Sequence, residues 1–122
     1  MTAAQRVLIV DDDSEIRETI VEILTDEGYE AVGACDGFEA LAQLRDPEDR
    51  WGLVLLDLMM PNMDGRTFRA EQLRDPVIAP IPVVIVSAMA DVEATAEELQ
   101  VAHVTKPITL RDLIQLVRQY CG

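Results

Sequence analysis

The sequence contains few cysteines, and this excludes functions that depend on clustered thiols. Only two of the 122 residues are cysteine, Cys35 and Cys121. Neither belongs to a C-x-x-C pair or has metal-ligating neighbours in the sequence, which argues against a zinc site or a redox motif. Isolated thiols are typical of a reducing compartment, so we expect a cytoplasmic protein.

Positive charge and long apolar runs are also scarce. Lysine and arginine together number 10 against 23 acidic residues, which gives a formal net charge of −13. Because such a surface repels nucleic acid phosphates, we expect no direct contact with DNA or RNA. The longest apolar stretch, around residues 80–90, contains prolines and is too short to span a bilayer. The first residues show no signal-peptide pattern, so we also expect no membrane contact.

The sequence does contain a regular alternation of apolar runs and helical segments. Strands are predicted at 7–10, 29–35, 53–56, 82–86 and 102–104. Helices are predicted at 14–27, 38–45, 67–74, 91–100 and from Thr109 onwards. Strands that alternate with helices predict an α/β fold, a parallel sheet with helices on both faces. Because no linker, repeat or low-complexity tract interrupts the pattern, we predict a single domain over residues 1–122 with no output domain in this chain.

Two helices allow predictions about individual faces. In the last helix, Thr109 is the predicted N-cap, and Asp112 at the third helical position forms a weaker version of the capping box with it. The predicted buried stripe of that helix is Leu110, Leu113, Ile114 and Val117. In the first helix, the predicted solvated face is Glu15, Arg17, Glu18 and Glu22.

Polar residues interrupt the apolar pattern directly after four of the predicted strands. These residues are Asp11, Asp12 and Asp13 after the first strand, Asp57 after the third, Ser87 after the fourth, and Thr105 and Lys106 after the fifth. The carboxyl ends of parallel strands meet at one edge of a sheet, where ligands of such folds bind. We therefore expect these residues to lie together, although they are far apart in the sequence.

The chemistry of this set indicates a divalent cation and phosphoryl transfer. Crowded carboxylates repel each other, and a hard cation with oxygen ligands, Mg²⁺ above all, relieves that repulsion. Lys106 can pair with a phosphoryl oxygen, and Ser87 offers a hydroxyl donor. An aspartate beside a metal, a lysine and a hydroxyl can act as the nucleophile and form an acyl phosphate. We therefore predict that Asp57 accepts a phosphoryl group.

Four segments together resemble the receiver (CheY-like) domain of two-component response regulators. They are Val10-Asp11-Asp12, Leu56-Asp57 with the loop Met60-Pro61-Asn62-Met63-Asp64-Gly65, Val86-Ser87-Ala88, and Lys106-Pro107. They occur in the order typical of that family and cover nearly the whole chain, which makes the combination specific. The resemblance implies a flavodoxin-like (βα)5 doubly wound fold with a parallel sheet of order 2-1-3-4-5.

The resemblance also implies a role for each matching residue. Asp57 is the phosphoacceptor, Asp12 a direct metal ligand and Asp11 an acidic neighbour that acts through water. Ser87 is the switch hydroxyl, and Lys106 binds the phosphoryl group.

Three further expectations from the resemblance concern single backbone positions or small residues. The backbone carbonyl of Met59 is a further metal ligand, and small Ala88 leaves the phosphoryl group accessible. The bond between Lys106 and Pro107 is cis, as is usual in the family.

The function implied is a phosphorylation-dependent signalling switch. A sensor histidine kinase or histidine phosphotransfer protein donates a phosphoryl group to Asp57 in a Mg²⁺-dependent reaction, and the phosphorylated state changes a partner-binding surface. The domain assists its own phosphorylation and dephosphorylation and is not an enzyme for a separate substrate.

Two features depart from the family pattern. His103 stands at the switch position where Tyr or Phe is usual, so it is either a rotating switch residue or a surface histidine on an edge strand. The segment from Ser87 to Lys106 is shorter than usual and lacks the Gly-Ala that normally precedes the fifth strand; residues 99–102 read Leu-Gln-Val-Ala instead. We expect the shortening to fall in the fourth-helix region and to alter output through that face.

Two other functions are compatible with parts of the pattern. A receiver fold that binds partners without phosphorylation would explain the shortened region but not the intact set of Asp12, Asp57, Ser87 and Lys106. A Mg²⁺-dependent phosphohydrolase with an Asp nucleophile, as in the haloacid dehalogenase family, needs a second Asp two residues after Asp57. Met59 occupies that position, which argues against hydrolysis of external phosphomonoesters.

Overall fold

In the computed structural model, which describes residues 6–46, 50–58, 63–87, 92–106 and 108–122, five strands alternate with five helices. The strands are β1 (Arg6–Val10), β2 (Glu30–Ala34), β3 (Trp51–Leu56), β4 (Val83–Ser87) and β5 (Ala102–Thr105). The helices are α1 (Ser14–Asp26), α2 (Gly37–Leu44), α3 (Gly65–Arg74), α4 (Val92–Leu99) and α5 (Leu110–Cys121). The predicted order of elements is confirmed, with their ends shifted by one or two residues.

All neighbouring strands pair in parallel, in the order β2-β1-β3-β4-β5. The predicted α/β fold with the 2-1-3-4-5 sheet is therefore confirmed. Val10 pairs with both Ala34 and Leu56, so the ends of the three strands on this side of the sheet lie level. Ser87 pairs with Thr105 at the same edge. The segments that follow these strands consequently emerge side by side.

The core has two main apolar layers, one on each face of the sheet. Side chains of a strand alternate between faces, and β1 divides accordingly. Leu8 and Val10 pack with residues of α2 and α3, such as Leu41 and Phe68. Val7 and Ile9 belong to the opposite layer, whose helical residues are Leu24 of α1 and Leu113 and Val117 of α5. Burial on both faces explains why β1, β3 and β4 are continuous apolar runs.

A third apolar cluster, smaller than the two main layers, lies beneath α4. Val92 and Ala96 of this eight-residue helix pack on Leu58 and Ile85. Polar contacts from α3 add to this packing: Arg66 donates to the hydroxyl of Thr95, and Arg69 donates to the carbonyl of Leu99.

The ends of α1 and α4 share one backbone arrangement but not one residue type. After α1, the amides of Gly28 and Tyr29 donate to the carbonyls of Thr25 and Leu24, and Gly28 takes a φ of 96°. This is the Schellman motif, in which the left-handed position favours glycine. After α4, the amides of Gln100 and Val101 donate to the carbonyls of Glu97 and Ala96, and Gln100 takes a φ of 58°. A glutamine therefore adopts the turn that glycine makes elsewhere in the chain.

The predicted buried face of α5 is wrong at Leu110 and only partly right at Ile114, which is half-buried. Thr109 caps the helix by accepting from the amide of Asp112, and Leu113 and Val117 are buried, as predicted. Leu110, however, is 56% exposed. It lies in the first turn of the helix, where it lines a surface groove of about 630 Å³ between α1 and α5 instead of packing in the core.

No helix among the described residues is long and apolar enough to cross a membrane.

Candidate functional site

Backbone hydrogen bonds extend the sheet one residue past β1 and β3 and fix the position of two aspartates. The amide of Asp57 donates to the carbonyl of Val10 at 2.9 Å, and the amide of Asp11 donates to the carbonyl of Ala34 at 3.1 Å. Both carboxylates thus leave the backbone at the same edge of the sheet.

Three of the predicted site residues form an acidic cluster. Asp11, Asp12 and Asp57 can each offer a carboxylate oxygen within 4.8 Å of the others. Asp11 is buried, Asp57 is partly buried and Asp12 is exposed, so the cluster is open to solvent on the Asp12 side. The predicted meeting of these carboxylates is therefore observed.

Lys106 reaches this cluster from the far edge of the sheet. Its Nζ donates to Oδ2 of Asp11 at 3.0 Å and lies 3.6 Å from Oδ2 of Asp57. Partial burial alone lowers the pKa of Lys106, but the hydrogen bond to Asp11 and the charges of Asp57 and Asp11 outweigh it, so that the pKa is raised above 10.5. Lys106 is therefore fully protonated at neutral pH.

Both carboxylate oxygens of Asp11 already have partners. Oδ1 accepts from the amide of Asp13 at 2.9 Å, and Oδ2 accepts from Lys106. Asp13 in turn caps α1 by accepting from the amides of Glu15 and Ile16, as expected of a helix-start residue. Asp11 therefore links the lysine to the loop that carries Asp12.

Ser87 and His103 lie on the neighbouring strands β4 and β5. Ser87 is buried at the end of β4, and its carbonyl accepts from the amide of Lys106 at 2.9 Å. This bond attaches the lysine to the end of the strand that carries the hydroxyl. His103 lies on the edge strand β5, opposite Ile85 of β4, and is exposed. Both residues are thus on the strands that border the site, with His103 on the outer surface.

The beginning of α3 closes against the segment that follows Asp57. The amide of Gly65 donates to the carbonyl of Leu58 at 3.2 Å. A Cβ at position 65 would come within 2.6 Å of Leu58 Cδ2 and 3.2 Å of Leu58 Cα, so only glycine permits this approach. Asp64 caps the helix by accepting from the amide of Thr67, and that bond lowers the pKa of Asp64. Both residues thus fix the start of α3.

Arg17 was predicted on the solvated face of α1, and that prediction is wrong. Its side chain is partly buried, and its Nη1 donates to the backbone carbonyl of Asp11 at 2.8 Å. A glycine at position 33, inside β2, makes room for this side chain. Glycine within a strand often marks the close approach of another group, so Gly33 was the sequence signal that could have identified the contact.

Several sequence predictions concern residues outside the described part of the chain. These are the backbone carbonyl of Met59 as a metal ligand, Ala88 beside Ser87, and the cis bond before Pro107.

The donor set fits a divalent magnesium ion. Three carboxylates and one ammonium leave a local charge of −2, which one Mg²⁺ would balance. Carboxylate oxygens are the ligands that this ion takes in proteins, whereas soft metals prefer sulfur or imidazole. Among the described residues the cluster contains neither cysteine nor histidine.

Comparisons with known proteins agree with the fold. The family model of the response regulator receiver domain matches residues 7–118. The transcriptional regulatory protein PdtaR of Mycobacterium tuberculosis is 39% identical over 117 residues, which cover 93% of this chain and 55% of PdtaR. The chain thus spans about half the length of this relative.

Solved structures of receiver proteins are also similar. A response regulator receiver protein from Pseudomonas putida superposes with a TM-score of 0.87 at 31% identity, over 98% of this chain and 99% of that one. The phosphorylated cyanobacterial phytochrome response regulator RcpA superposes with a TM-score of 0.79 at 33% identity, over 96% of this chain and 91% of that one.

Proposed function

This chain belongs to the response regulator receiver domain family, and we propose that it is a switch in which Asp57 accepts a phosphoryl group in a Mg²⁺-dependent reaction. The observation that carries the proposal is the position of Lys106. Its ammonium lies 3.6 Å from Oδ2 of Asp57 and is held there by Asp11 at 3.0 Å. A cation fixed beside a nucleophilic carboxylate can bind the phosphoryl oxygens as they arrive.

The proposed reaction transfers a phosphoryl group from a phosphohistidine. A carboxylate oxygen of Asp57 forms the new P–O bond while the P–N bond of the donor breaks, and the electron pair stays on the imidazole nitrogen. Lys106 stabilises the negative charge on the transferred group, and Ser87 donates its hydroxyl to another phosphoryl oxygen. The product is an acyl phosphate on Asp57.

Asp12 and Asp57 are the proposed direct ligands of Mg²⁺. Asp11 would act through water, because both of its oxygens already accept hydrogen bonds from Asp13 and Lys106. The backbone carbonyl of Met59 completes the proposed protein ligands. When bound, Mg²⁺ neutralises the carboxylates and attracts the oxygens of the incoming phosphoryl group.

The proposed output is a shift between two conformations. A phosphoryl group at Asp57 would draw in the hydroxyl of Ser87, and His103 on the neighbouring strand would follow as the second switch residue. The proposed role includes catalysis of the domain's own phosphorylation and dephosphorylation but no turnover of a separate substrate. Residues 1–122 would act in this way as one receiver domain.

The proposed partners are proteins, located with this domain in the cytoplasm. A sensor histidine kinase or a histidine phosphotransfer protein would donate the phosphoryl group. The relative PdtaR is named a transcriptional regulatory protein, but the net charge of −13 argues against DNA contact by this domain itself.

The experiment that tests the proposal is intact-protein mass spectrometry after incubation with a small acyl-phosphate donor. We expect the protein to gain one phosphoryl group in the presence of Mg²⁺ and none after chelation. Asp57→Asn should abolish the gain, whereas Asp64→Asn, which alters an exposed helix cap, should retain it.

Two outcomes would count against the proposal. Absence of the mass gain from folded protein at saturating Mg²⁺ would favour a receiver fold that binds partners without phosphorylation. A mass gain that survives in Asp57→Asn would place the phosphoryl group on another residue.

A further inference from the structure

Arg17 connects α1 to the peptide group between two aspartates of the acidic cluster. Its Nη1 donates to the carbonyl of Asp11 at 2.8 Å, and no ion pair is recorded for Arg17 within the described residues. The guanidinium therefore acts on the backbone of the loop and does not neutralise one carboxylate directly.

Gly33 of β2 provides the surface on which the arginine lies. A Cβ at position 33 would come within 2.9 Å of Arg17 Cδ, 3.0 Å of Cγ and 3.3 Å of Nε, and these are its three nearest neighbours. The aliphatic part of Arg17 thus packs against β2 at the position where Gly33 has no side chain. This packing restricts the rotamers of a long side chain and aims its guanidinium at the end of β1.

The bond from Arg17 to the carbonyl of Asp11 matters most for the orientation of Asp12. Asp12 is exposed, and its side chain has no hydrogen bond within the described part of the chain. Its position depends on the two peptide groups that flank it. The preceding carbonyl, of Asp11, is held by Arg17, and the following amide, of Asp13, is held by the carboxylate of Asp11. Arg17 therefore fixes one of the two backbone points that orient Asp12.

We propose that Arg17 is a positioning residue for the metal site. It orients the Asp11–Asp12 peptide group and does not touch the ion. This inference rests on the proposed Mg²⁺-dependent function and adds a residue to it. Groups that orient the ligands of a metal commonly change its affinity by tenfold or more when they are removed.

The direction of the change in Mg²⁺ affinity distinguishes a positioning role of Arg17 from a simple effect of its charge. Arg17 carries a positive charge near an anionic site, so removing that charge alone would strengthen the binding of a cation. Loss of orientation would weaken it. A variant that lacks the donor but keeps the apolar stem, Arg17→Met, therefore gives opposite results under the two explanations.

The first test is Mg²⁺ binding measured by isothermal titration calorimetry. Trp51 begins β3 whereas Asp57 follows its other end, so tryptophan fluorescence would report poorly on the site. We expect Arg17→Met to raise the Kd for Mg²⁺ about tenfold and Arg17→Lys, which keeps a donor, to recover part of the loss. Arg118→Met removes the same charge from an exposed position in the last turn of α5 and should leave the Kd unchanged.

The second test uses Gly33→Ala in a double-mutant cycle. Alanine at position 33 would displace the stem of Arg17, so this variant should also weaken Mg²⁺ binding. In an Arg17→Ala background the same change should have no further effect, because the side chain it displaces is gone. An equal effect in both backgrounds would show that Gly33 acts independently of Arg17.

A metal-free readout separates failure of this inference from failure of the proposed function. Without Mg²⁺, amide hydrogen exchange at Asp12 and Asp13 should be faster in Arg17→Met than in the wild type. Unchanged exchange, or Mg²⁺ binding in Arg17→Met as tight as or tighter than in the wild type, would overturn the positioning role. If the wild type bound no Mg²⁺, the proposed function would fail, and the exchange rates would still decide the role of Arg17.

Discussion

Lys106 and Asp11 are joined by a hydrogen bond of 3.0 Å across 95 residues of sequence. The bond links the segment after the edge strand β5 to the end of β1, although β3 and β4 lie between these strands in the sheet. It also holds the ammonium 3.6 Å from Asp57. The same contact therefore neutralises a buried carboxylate and places a cation beside the proposed nucleophile.

Replacing Lys106 by methionine should have opposite effects on Mg²⁺ binding and on phosphorylation. Without the ammonium, the buried carboxylate of Asp11 loses its ion pair, and the site becomes more negative. Added Mg²⁺ should then raise the Tm of Lys106→Met by more than it raises that of the wild type, because tighter binding stabilises the folded state more. The rate of phosphorylation by an acyl phosphate should fall roughly 100-fold, because a donor to the transferred group is lost.

The matched control for this variant is Arg111→Met. Arg111 is exposed in the first turn of α5, and its removal changes the net charge equally. It should leave the phosphorylation rate and the Mg²⁺-dependent rise in Tm unchanged. Equal rises in Tm for Lys106→Met and the wild type would show that the lysine does not compete with the ion for Asp11 and Asp57.

The raised pKa of Lys106 can be measured directly, because it is the only lysine in the sequence. Labelling with ¹³C-lysine gives a single Cε resonance, which we expect to titrate above pH 10.5 in the folded protein. Asp11→Asn should lower this pKa more than Asp57→Asn, since the nitrogen lies 3.0 Å from Asp11 and 3.6 Å from Asp57.

The direction of this shift determines how the lysine contributes to stability. A pKa that is higher in the folded than in the unfolded state means that folding favours the protonated form. The contribution of Lys106 is therefore complete below pH 10.5 and is lost as pH rises through the folded-state pKa. The difference in free energy of unfolding between the wild type and Lys106→Met should shrink over that range. A difference independent of pH would contradict the ion pairs.

The sequence was sufficient to predict most of the fold because two kinds of pattern were strong. Continuous apolar runs identified β1, β3 and β4, which are buried on both faces. Residues 11, 57 and 106 follow strands and residue 87 ends one, and these strand ends meet at one edge. Parallel pairing then brings distant residues together without any further signal in the sequence.

Contacts that depend on the length of a side chain could not be predicted from the apolar pattern or from strand order. Helical periodicity placed Arg17 on the solvated face of α1, but the side chain is long enough to reach back to the carbonyl of Asp11. Leu110 has the spacing of a core residue, but it stands in the first turn of α5 and is exposed. Periodicity defines the direction of a side chain from the helix axis, and the neighbouring elements decide what lies there.

The attachment of α4 depends on a polar contact from α3 that can be tested locally. Arg66 bonds Glu98 at 2.7 Å and Thr95 at 3.4 Å, and the bond to Arg66 lowers the pKa of Glu98. Both partners of the ion pair are largely exposed, so we expect little change in the global Tm of Arg66→Met. Because Arg66 links α3 to two residues of α4, the amides of α4 should lose protection against hydrogen exchange severalfold without it.

Arg74→Met is the control for this experiment. Arg74 pairs with Glu71 within α3 and does not connect two helices, so its removal should leave exchange in α4 unchanged. If Arg66→Met also left that exchange unchanged, the apolar packing of Val92 and Ala96 together with the bond from Arg69 to the carbonyl of Leu99 would be sufficient to hold the helix.

The turn after α4 offers a stabilising substitution, because Gln100 and Gly28 occupy the same position of the same motif. Each takes a left-handed φ, 58° and 96° respectively, and each amide donates to its helix as the Schellman motif requires.

This left-handed conformation costs a residue with a Cβ about 1 kcal/mol, a cost that glycine does not have. Gln100→Gly should therefore raise the free energy of unfolding by about 1 kcal/mol, and Gly28→Gln should lower it by about the same amount. Chemical denaturation of both variants measures the two changes. Among the described residues, none apart from its chain neighbours would lie within 4 Å of a Cβ at position 28, so the loss there would come from the backbone alone. Destabilisation by Gln100→Gly would instead mean that the glutamine side chain contributes more than its backbone conformation costs, and that its presence in the shortened segment has a structural reason.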